Sequence, residues 1–356
     1  RSLAWLNATQ FLSGLNDNTF KLLVIFFLIH TTRSDPRPSA YVALVGAVYV
    51  LPFILFSHVG GYLADRFSRR NVIVWIKAGE IAVMSLGLAA FASGRTTAVC
   101  VACFLVAAQG ALLVPAKYAI LQDIVPRDRL TPANSLLTSS SFLAVIIGTP
   151  LAAGLSEALS HRYEYAALAC VGIAVIGLIA AMQIRKTPSG TVSEELSPIF
   201  IRSIVSTLRG MRKDSYLFLT IVSSASFIMV AAFMQLNLIP FGMQTLGLTQ
   251  ERSSYLFLVA VAGIVVSALL CGRLSGRNIE FGLVPLGAAG LALACILLCF
   301  CRSIPTVLAA SALAGLSVGF YTVPLDTFLQ MRSPKSNLGT TLAAASFMGF
   351  VGVMLA

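Results

Sequence analysis

Long apolar runs, separated by short polar stretches, recur from one end of the chain to the other. Runs of about 20 residues, the length a helix needs to cross a bilayer, fall at 4–30, 40–64, 71–93, 97–121, 134–158, 164–184, 216–240, 253–272, 282–301, 304–330 and 338–356. The longest polar segment, 185–214, separates six runs from five. Its second part, from Pro198 to Arg209, has apolar residues at helical spacing and reads as an amphipathic helix lying on a membrane surface. The pattern predicts an all-α membrane protein with halves 1–184 and 215–356 joined by the linker 185–214.

Composition sharpens this. The 356 residues are 57% hydrophobic and only 11% charged, with mean hydropathy +0.87. A soluble domain carries roughly a quarter charged residues, so no soluble catalytic domain fits between the runs. The net charge of +11 does not point to nucleic acid, because the basic residues gather in short loops. With the loop after the second run on the inside, the inner loops hold fifteen Lys and Arg and the outer loops hold six. That bias places the loop at 33–39 outside. The seven cysteines all lie in or beside apolar runs, where a thiol is a small hydrophobe. The C-x-x-C spacing of Cys100 and Cys103 therefore reads as packing, and no disulfide framework is implied. No cleavable leader is visible, and the start at Arg1 suggests a piece of a larger protein.

Two local matches relate the halves. Gly61-Tyr-Leu-Ala-Asp65-Arg66 after run two resembles Gly272-Arg-Leu-Ser-Gly276-Arg277 after run eight. Val114-Pro115-Ala116-Lys117 in run four resembles Val323-Pro324-Leu325-Asp326 in run ten. Both pairs sit at nearly one offset and both halves start from the same side, so the repeat is parallel. It predicts a twelfth helix beyond Ala356.

Charges inside the apolar runs are the candidate chemistry. Gln10, Ser13, Gly14, Asp17 and Lys21 fall on one face of a helix. A charge at mid-bilayer costs about 3 kcal/mol on insertion scales, so this face should line a protein interior or a wet pathway. Asn18 adjoins it. Lys21 lies one turn from Asp17 and could neutralise it along the helix. Lys117, its repeat counterpart Asp326, Asn134 on run five and Gln235 on run seven are further polar candidates, although small polar groups also hold helices together in lipid. Lys77 and Glu80, spaced i and i+3, should pair. The segment from Gly61 through Asp65, Arg66, Arg69 and Arg70 suits a gate: glycines let helices approach closely, and Asp65 can cap a helix N-terminus or meet an arginine.

That segment resembles the signature loop of the major facilitator superfamily, with Ser68 where the pattern has glycine. The fold implied is two six-helix halves in which runs 1, 4, 7 and 10 line a central cavity. The first run, from Gln10 through Asn16-Asp17-Asn18 to Lys21, is similar to the opening helix of bacterial lysophospholipid transporters. Its closest likeness is to versions fused to acyltransferase and acyl-carrier-protein synthetase domains. Pro115-Ala116-Lys117-Tyr118 and the stretch from Gly319 to Gln330 resemble the fourth and tenth helices of the same family.

The resemblance implies a secondary transporter of the bacterial inner membrane. It would flip lysophospholipid, chiefly lysophosphatidylethanolamine, from outer to inner leaflet for re-acylation. Asp17 would be the sodium-coupling acid and Lys117 a cavity residue, with no cofactor beyond Na+. Asp326 and Gln235 depart from the family pattern, which bears on headgroup and ion.

A proton-coupled exporter of small amphipathic compounds is the alternative of the same class. An acyltransferase using His30 and Asp35 is the alternative of another class, since His30-Thr-Thr-Arg-Ser-Asp35 has the H-x4-D spacing in which an Asp orients a His base. Here the motif crosses a helix end into an outer Pro-rich loop and lacks a phosphate-binding companion. No Walker A loop supports ATP-driven transport.

Overall fold

The computed structural model describes residues 1–31, 38–188, 200–212 and 214–356. Asp35 lies outside the described residues. Among them, eleven helices are long and apolar enough to cross a membrane, in the places the apolar runs predict. They are α1 (Ser2–Thr31), α2 (Pro38–Arg66), α3 (Arg69–Ala92), α4 (Thr96–Ala119), α6 (Leu130–Ala158), α7 (Tyr163–Met182), α9 (Ser215–Leu246), α10 (Gln250–Ser275), α11 (Leu283–Phe300), α12 (Ile304–Arg332) and α13 (Leu338–Leu355). A short α5 (Leu121–Ile124) continues α4. In the linker, α8 (Phe200–Met211) is the expected amphipathic helix, with Ile204 and Met211 buried.

One boundary differs from the sequence pattern. The seventh run was expected to end at Pro240, but α9 continues to Leu246 and closes on a left-handed Gly247. A proline inside a helix removes one hydrogen bond without forcing a stop, and membrane helices tolerate it where neighbours compensate. Pro115 of α4 and Pro324 of α12, matched by the repeat, also lie inside their helices.

The chain forms two compact units. Unit 1 comprises Arg1–Ile124, Ile147–Leu208 and Pro334–Phe347; unit 2 comprises Val125–Ile146, Arg209–Ser333 and Met348–Ala356. The first part of α6 belongs to unit 2 and the first part of α13 to unit 1. In unit 1, α2 packs on α4, α4 on α3 and α3 on α7. In unit 2, α10 packs on α12 and α12 on α11, which repeats the first two of those contacts. The α10–α12 contact needs small residues: a Cβ on Gly315 would overlap the Ala260 carbonyl oxygen. No larger side chain fits there, the usual requirement where membrane helices touch backbone to backbone.

The core of unit 1 is aromatic around the outer part of α1. Phe20 and Phe27 both meet Phe91, at 5.5 and 5.4 Å between ring centroids, and all three are buried. In unit 2, Phe227 and Tyr321 stack at 3.8 Å, and the Tyr321 hydroxyl donates to the Ser223 carbonyl at 3.3 Å.

Candidate functional site

The polar face expected on α1 divides in two. Gln10 and Ser13 are buried, whereas Gly14, Asp17 and Lys21 are half-buried. Asp17 faces α4, where a Cβ on Gly110 would lie 3.7 Å from its Oδ2 and 3.3 Å from the Phe53 ring. Among the described residues, no cation lies within 4.0 Å of the Asp17 carboxylate. Lys21 makes no ion pair with it within that distance. The Lys21 ammonium instead lies 5.3 Å from the centre of the Tyr49 ring, a cation–π contact.

Lys117 is half-buried on α4, with Nζ 5.3 Å from the centre of the Tyr118 ring. Asp17 and Lys117 are in electrostatic reach of each other without a direct bond. Unit 1 therefore holds an acid on α1 and an amine on α4 that make no ion pair within 4.0 Å among the described residues. Asp326, in unit 2, is half-buried on α12, and its carboxylate has no hydrogen bond or ion pair among the described residues. Gln235 is exposed on α9.

Two other candidates are engaged in packing. Asn18 is 7% exposed and donates to the Thr149 hydroxyl of α6 at 3.2 Å. Asn134 is fully buried in unit 2, where it exchanges amide hydrogen bonds with Gln330 of α12 at 3.0 and 2.9 Å and donates to Thr327 at 3.1 Å. Both amides satisfy their polar groups within the protein, as lipid-embedded helices require.

A buried network that the sequence only hinted at stands next to Asp17. Lys77 and Glu80 of α3 form the expected ion pair, and neither side chain is exposed. The pair also recruits other helices. Asn16 of α1 donates to Glu80 Oε1 at 2.8 Å, Gln109 of α4 donates to Oε2 at 3.0 Å, and the Lys77 ammonium donates to Ser13 at 2.9 Å. A Cβ on Gly177 of α7 would lie 2.8 Å from Lys77 Nζ, so that glycine makes room for the amine. The signal was present as isolated amides in apolar runs, but period alone cannot say that Asn16 and Gln109 meet one carboxylate.

The loop from Gly61 to Arg70 shows how each of its charges is used. Asp65 caps α13: Oδ1 accepts from the Gly339 amide at 2.6 Å, and Oδ2 accepts from the Thr340 amide at 2.7 Å and its hydroxyl at 3.0 Å. This places an anion at a helix N-terminus, where the backbone dipole favours it. Gly61, one turn earlier, lies against the same helix, and a Cβ there would be 2.7 Å from the Gly339 carbonyl oxygen.

Arg69 is 7% exposed and joins four segments. It bonds the Ala64 and Ala119 carbonyls at 3.3 and 3.2 Å, both Asp123 oxygens at 3.1 and 3.0 Å, and the Lys335 carbonyl at 3.0 Å. Arg70 caps the far end of α7 through the Met182 and Ile184 carbonyls. Arg66 lies against Tyr62 and donates to its hydroxyl. Ser68, where the superfamily pattern has glycine, bonds Thr187 of the linker at 3.0 Å. In the second copy, Gly272 packs on Ser135 of α6 as Gly61 packs on α13, but Gly276 stands where Asp65 does and supplies no cap.

Among the described residues, no group of three or more His, Cys, Asp or Glu side chains could hold a metal ion, and Cys100 and Cys103 are free thiols. The arrangement offers charged groups on membrane helices and a capped loop between helices, which suits passage of a solute.

Comparison with known proteins agrees. The chain is 26% identical to the "Lysophospholipid transporter LplT" of Citrobacter koseri, over 98% of its own length and 84% of that protein. Its fold is similar to the human organic anion transporter MFSD10 (TETRAN), with TM-score 0.80 and 14% identity over 97% of this chain and 90% of the other. It is also similar to a bacterial homologue of the iron transporter ferroportin, with TM-score 0.78 and 15% identity over 100% and 90%. Residues 6–356 match the Major Facilitator Superfamily; the chain belongs to that family, as a multi-pass inner-membrane transporter and not an enzyme.

Proposed function

We propose that this chain moves lysophospholipid, chiefly lysophosphatidylethanolamine, from the outer to the inner leaflet by alternating access, coupled to Na+. The substrate class rests on the curated relatives, whose likeness runs through nearly the whole chain. One structural observation carries the coupling: a half-buried carboxylate on α1, Asp17, that makes no ion pair within 4.0 Å among the described residues.

An unpaired acid within a membrane helix is costly, and its cost falls when a cation from outside binds to it. Na+ is a hard ion that membrane transporters hold with carboxylate and carbonyl oxygens. Asp17 would supply the charged oxygen, and the Lys117 ammonium would meet the phosphate of the lipid as a point charge. With Na+ on Asp17, the nearby lysines are freed from its field, so ion and phosphate bind with positive coupling. Release of the Asp65 cap would then let α13 move away from the loop. Lipid delivered to the inner leaflet is a substrate for re-acylation by a fused or associated acyltransferase and acyl-carrier-protein synthetase.

The test is uptake of labelled lysophosphatidylethanolamine into spheroplasts expressing the protein, with and without an inward Na+ gradient. Concentrative uptake that needs the gradient is the expected result. No uptake by the intact protein overturns the substrate, and gradient-independent uptake overturns the coupling. Export of amphipathic drugs driven by pH alone would replace the reading.

A further inference from the structure

Unit 1 has a cavity of about 330 Å3 at the end of α1 that the loop charges place outside. His30 and His161, the Glu157 carboxylate and the Ser156 hydroxyl line it, over Phe26 and Tyr163. His30 is thirteen positions beyond Asp17, about 20 Å further along the helix at 1.5 Å per residue. The cavity is therefore far from the Asp17 site, at the depth where lipid headgroups begin.

The turn that carries His161 is unusual. After α6, the His161 amide bonds the Ser156 carbonyl at 2.8 Å, the pattern of a helix end that requires one left-handed residue. Ser160 meets that need with φ 50°, but His161 follows with φ 61°, which the cap does not require. A left-handed non-glycine residue is disfavoured, and such outliers gather where a side chain must be held for use.

The second left-handed residue sets the imidazole on the His30 ring, with centroids 4.9 Å apart and planes inclined by 23°. Nδ1 of His161 lies 3.1 Å from the Ser156 hydroxyl and 3.4 Å from the Tyr163 hydroxyl. When Nδ1 accepts from these hydroxyls, the proton of the neutral ring sits on Nε2 as a donor.

We propose that this cavity captures the zwitterionic phosphate–ammonium headgroup of a one-chain phospholipid from the outer leaflet. The His161 Nε2 donor and the His30 ring meet the phosphate, Glu157 meets the ammonium, and Phe26 and Ile29 meet the start of the acyl chain. Ile29, at 39% exposure, opens the site toward lipid. The negative Glu157 disfavours a bare anion, so free phosphate is the poorer ligand. The inference rests on the lysophospholipid reading above.

The experiment measures initial uptake of labelled lysophosphatidylethanolamine and lysophosphatidylglycerol by the full chain in spheroplasts. Glu157→Gln removes a charge-assisted contact made only to the amine. It should raise KM for the ethanolamine lipid about tenfold, while KM for the glycerol lipid moves by less than about twofold. His161→Asn keeps a residue that tolerates the left-handed backbone, and should raise KM for both lipids with little change in maximal rate.

Calorimetry on the purified protein compares glycerophosphoethanolamine with inorganic phosphate, and the former should bind and the latter should not. Unchanged KM in both variants, with wild-type uptake intact, overturns the capture site and leaves the transport reading standing. Phosphate binding as tight as glycerophosphoethanolamine binding makes it a plain anion site and overturns the headgroup assignment. No lysophospholipid uptake by wild type overturns the reading beneath it.

Discussion

Asp65 and Thr340, far apart in sequence, make two hydrogen bonds to each other: one carboxylate oxygen accepts from both the amide and the hydroxyl of the threonine. With the Gly339 amide on the other oxygen, the α2–α13 junction depends on one side chain. Asp65→Ala leaves those amides without an acceptor, a loss of roughly 1–3 kcal/mol. The expected outcome is a lower thermal unfolding midpoint in detergent and faster proteolysis near residue 335, while Asp65→Asn keeps one acceptor and falls between the two.

The Lys77–Glu80 pair predicts strong non-additivity. Removing either partner leaves a buried charge alone, which costs about 3–5 kcal/mol, whereas removing both with apolar residues of similar size is often near neutral. Lys77→Met and Glu80→Met should each abolish monodisperse protein in detergent, and the double variant should recover much of it. Equal, additive losses would show that the network of Asn16, Gln109 and Ser13 does not depend on the pair.

Asp17 and Lys21 should separate cleanly. Asp17→Asn removes the proposed coupling charge and is expected to erase the Na+ dependence of uptake. Lys21→Met removes an ammonium that lies on Tyr49 and should leave that dependence in place, with about 1 kcal/mol lost from the cation–π contact. Matching loss of Na+ response in the two variants would mean that the lysine and the acid act as one unit.

A pH test is available outside the membrane. Asp214 caps α9 through the Leu217 amide at 3.4 Å and bonds Arg332 Nε at 2.6 Å. The hydrogen bond from Arg332 holds its carboxyl below the ordinary aspartate value. A group depressed in the folded state stabilises above its unfolded pKa, and the benefit is lost as pH falls through the folded one. The difference in unfolding midpoint between wild type and Asp214→Asn should therefore be constant near neutrality. It should shrink on acidification below about pH 4, the ordinary range for aspartate.

Much of this was readable from residue order. The eleven spans follow from hydrocarbon thickness, which any helix of about 20 apolar residues satisfies, and the repeat followed from two short matches. Which polar side chains face a solute and which face another helix was not readable, because both uses put polar residues in apolar runs. Asn18 and Asn134 shared the look of Asp17, yet each completes a hydrogen bond to a neighbouring helix. Asp123 carried no signal at all, since its value lies in reaching Arg69 from another helix end. The Lys77–Glu80 spacing gave the pair, while the amides around it required three helices to be placed in space.

The glycine at 276, where the first copy of the loop has Asp65, has a further consequence. The two copies of the loop differ by a carboxylate: Asp65 binds the N-terminus of α13, whereas the second copy meets α6 through Gly272 packed on Ser135. One loop thus ties its helix through an anion and the other through close packing. Substitutions near residue 65 and near residue 276 should then change different steps of the working cycle, and evolution could adjust one step without disturbing the other.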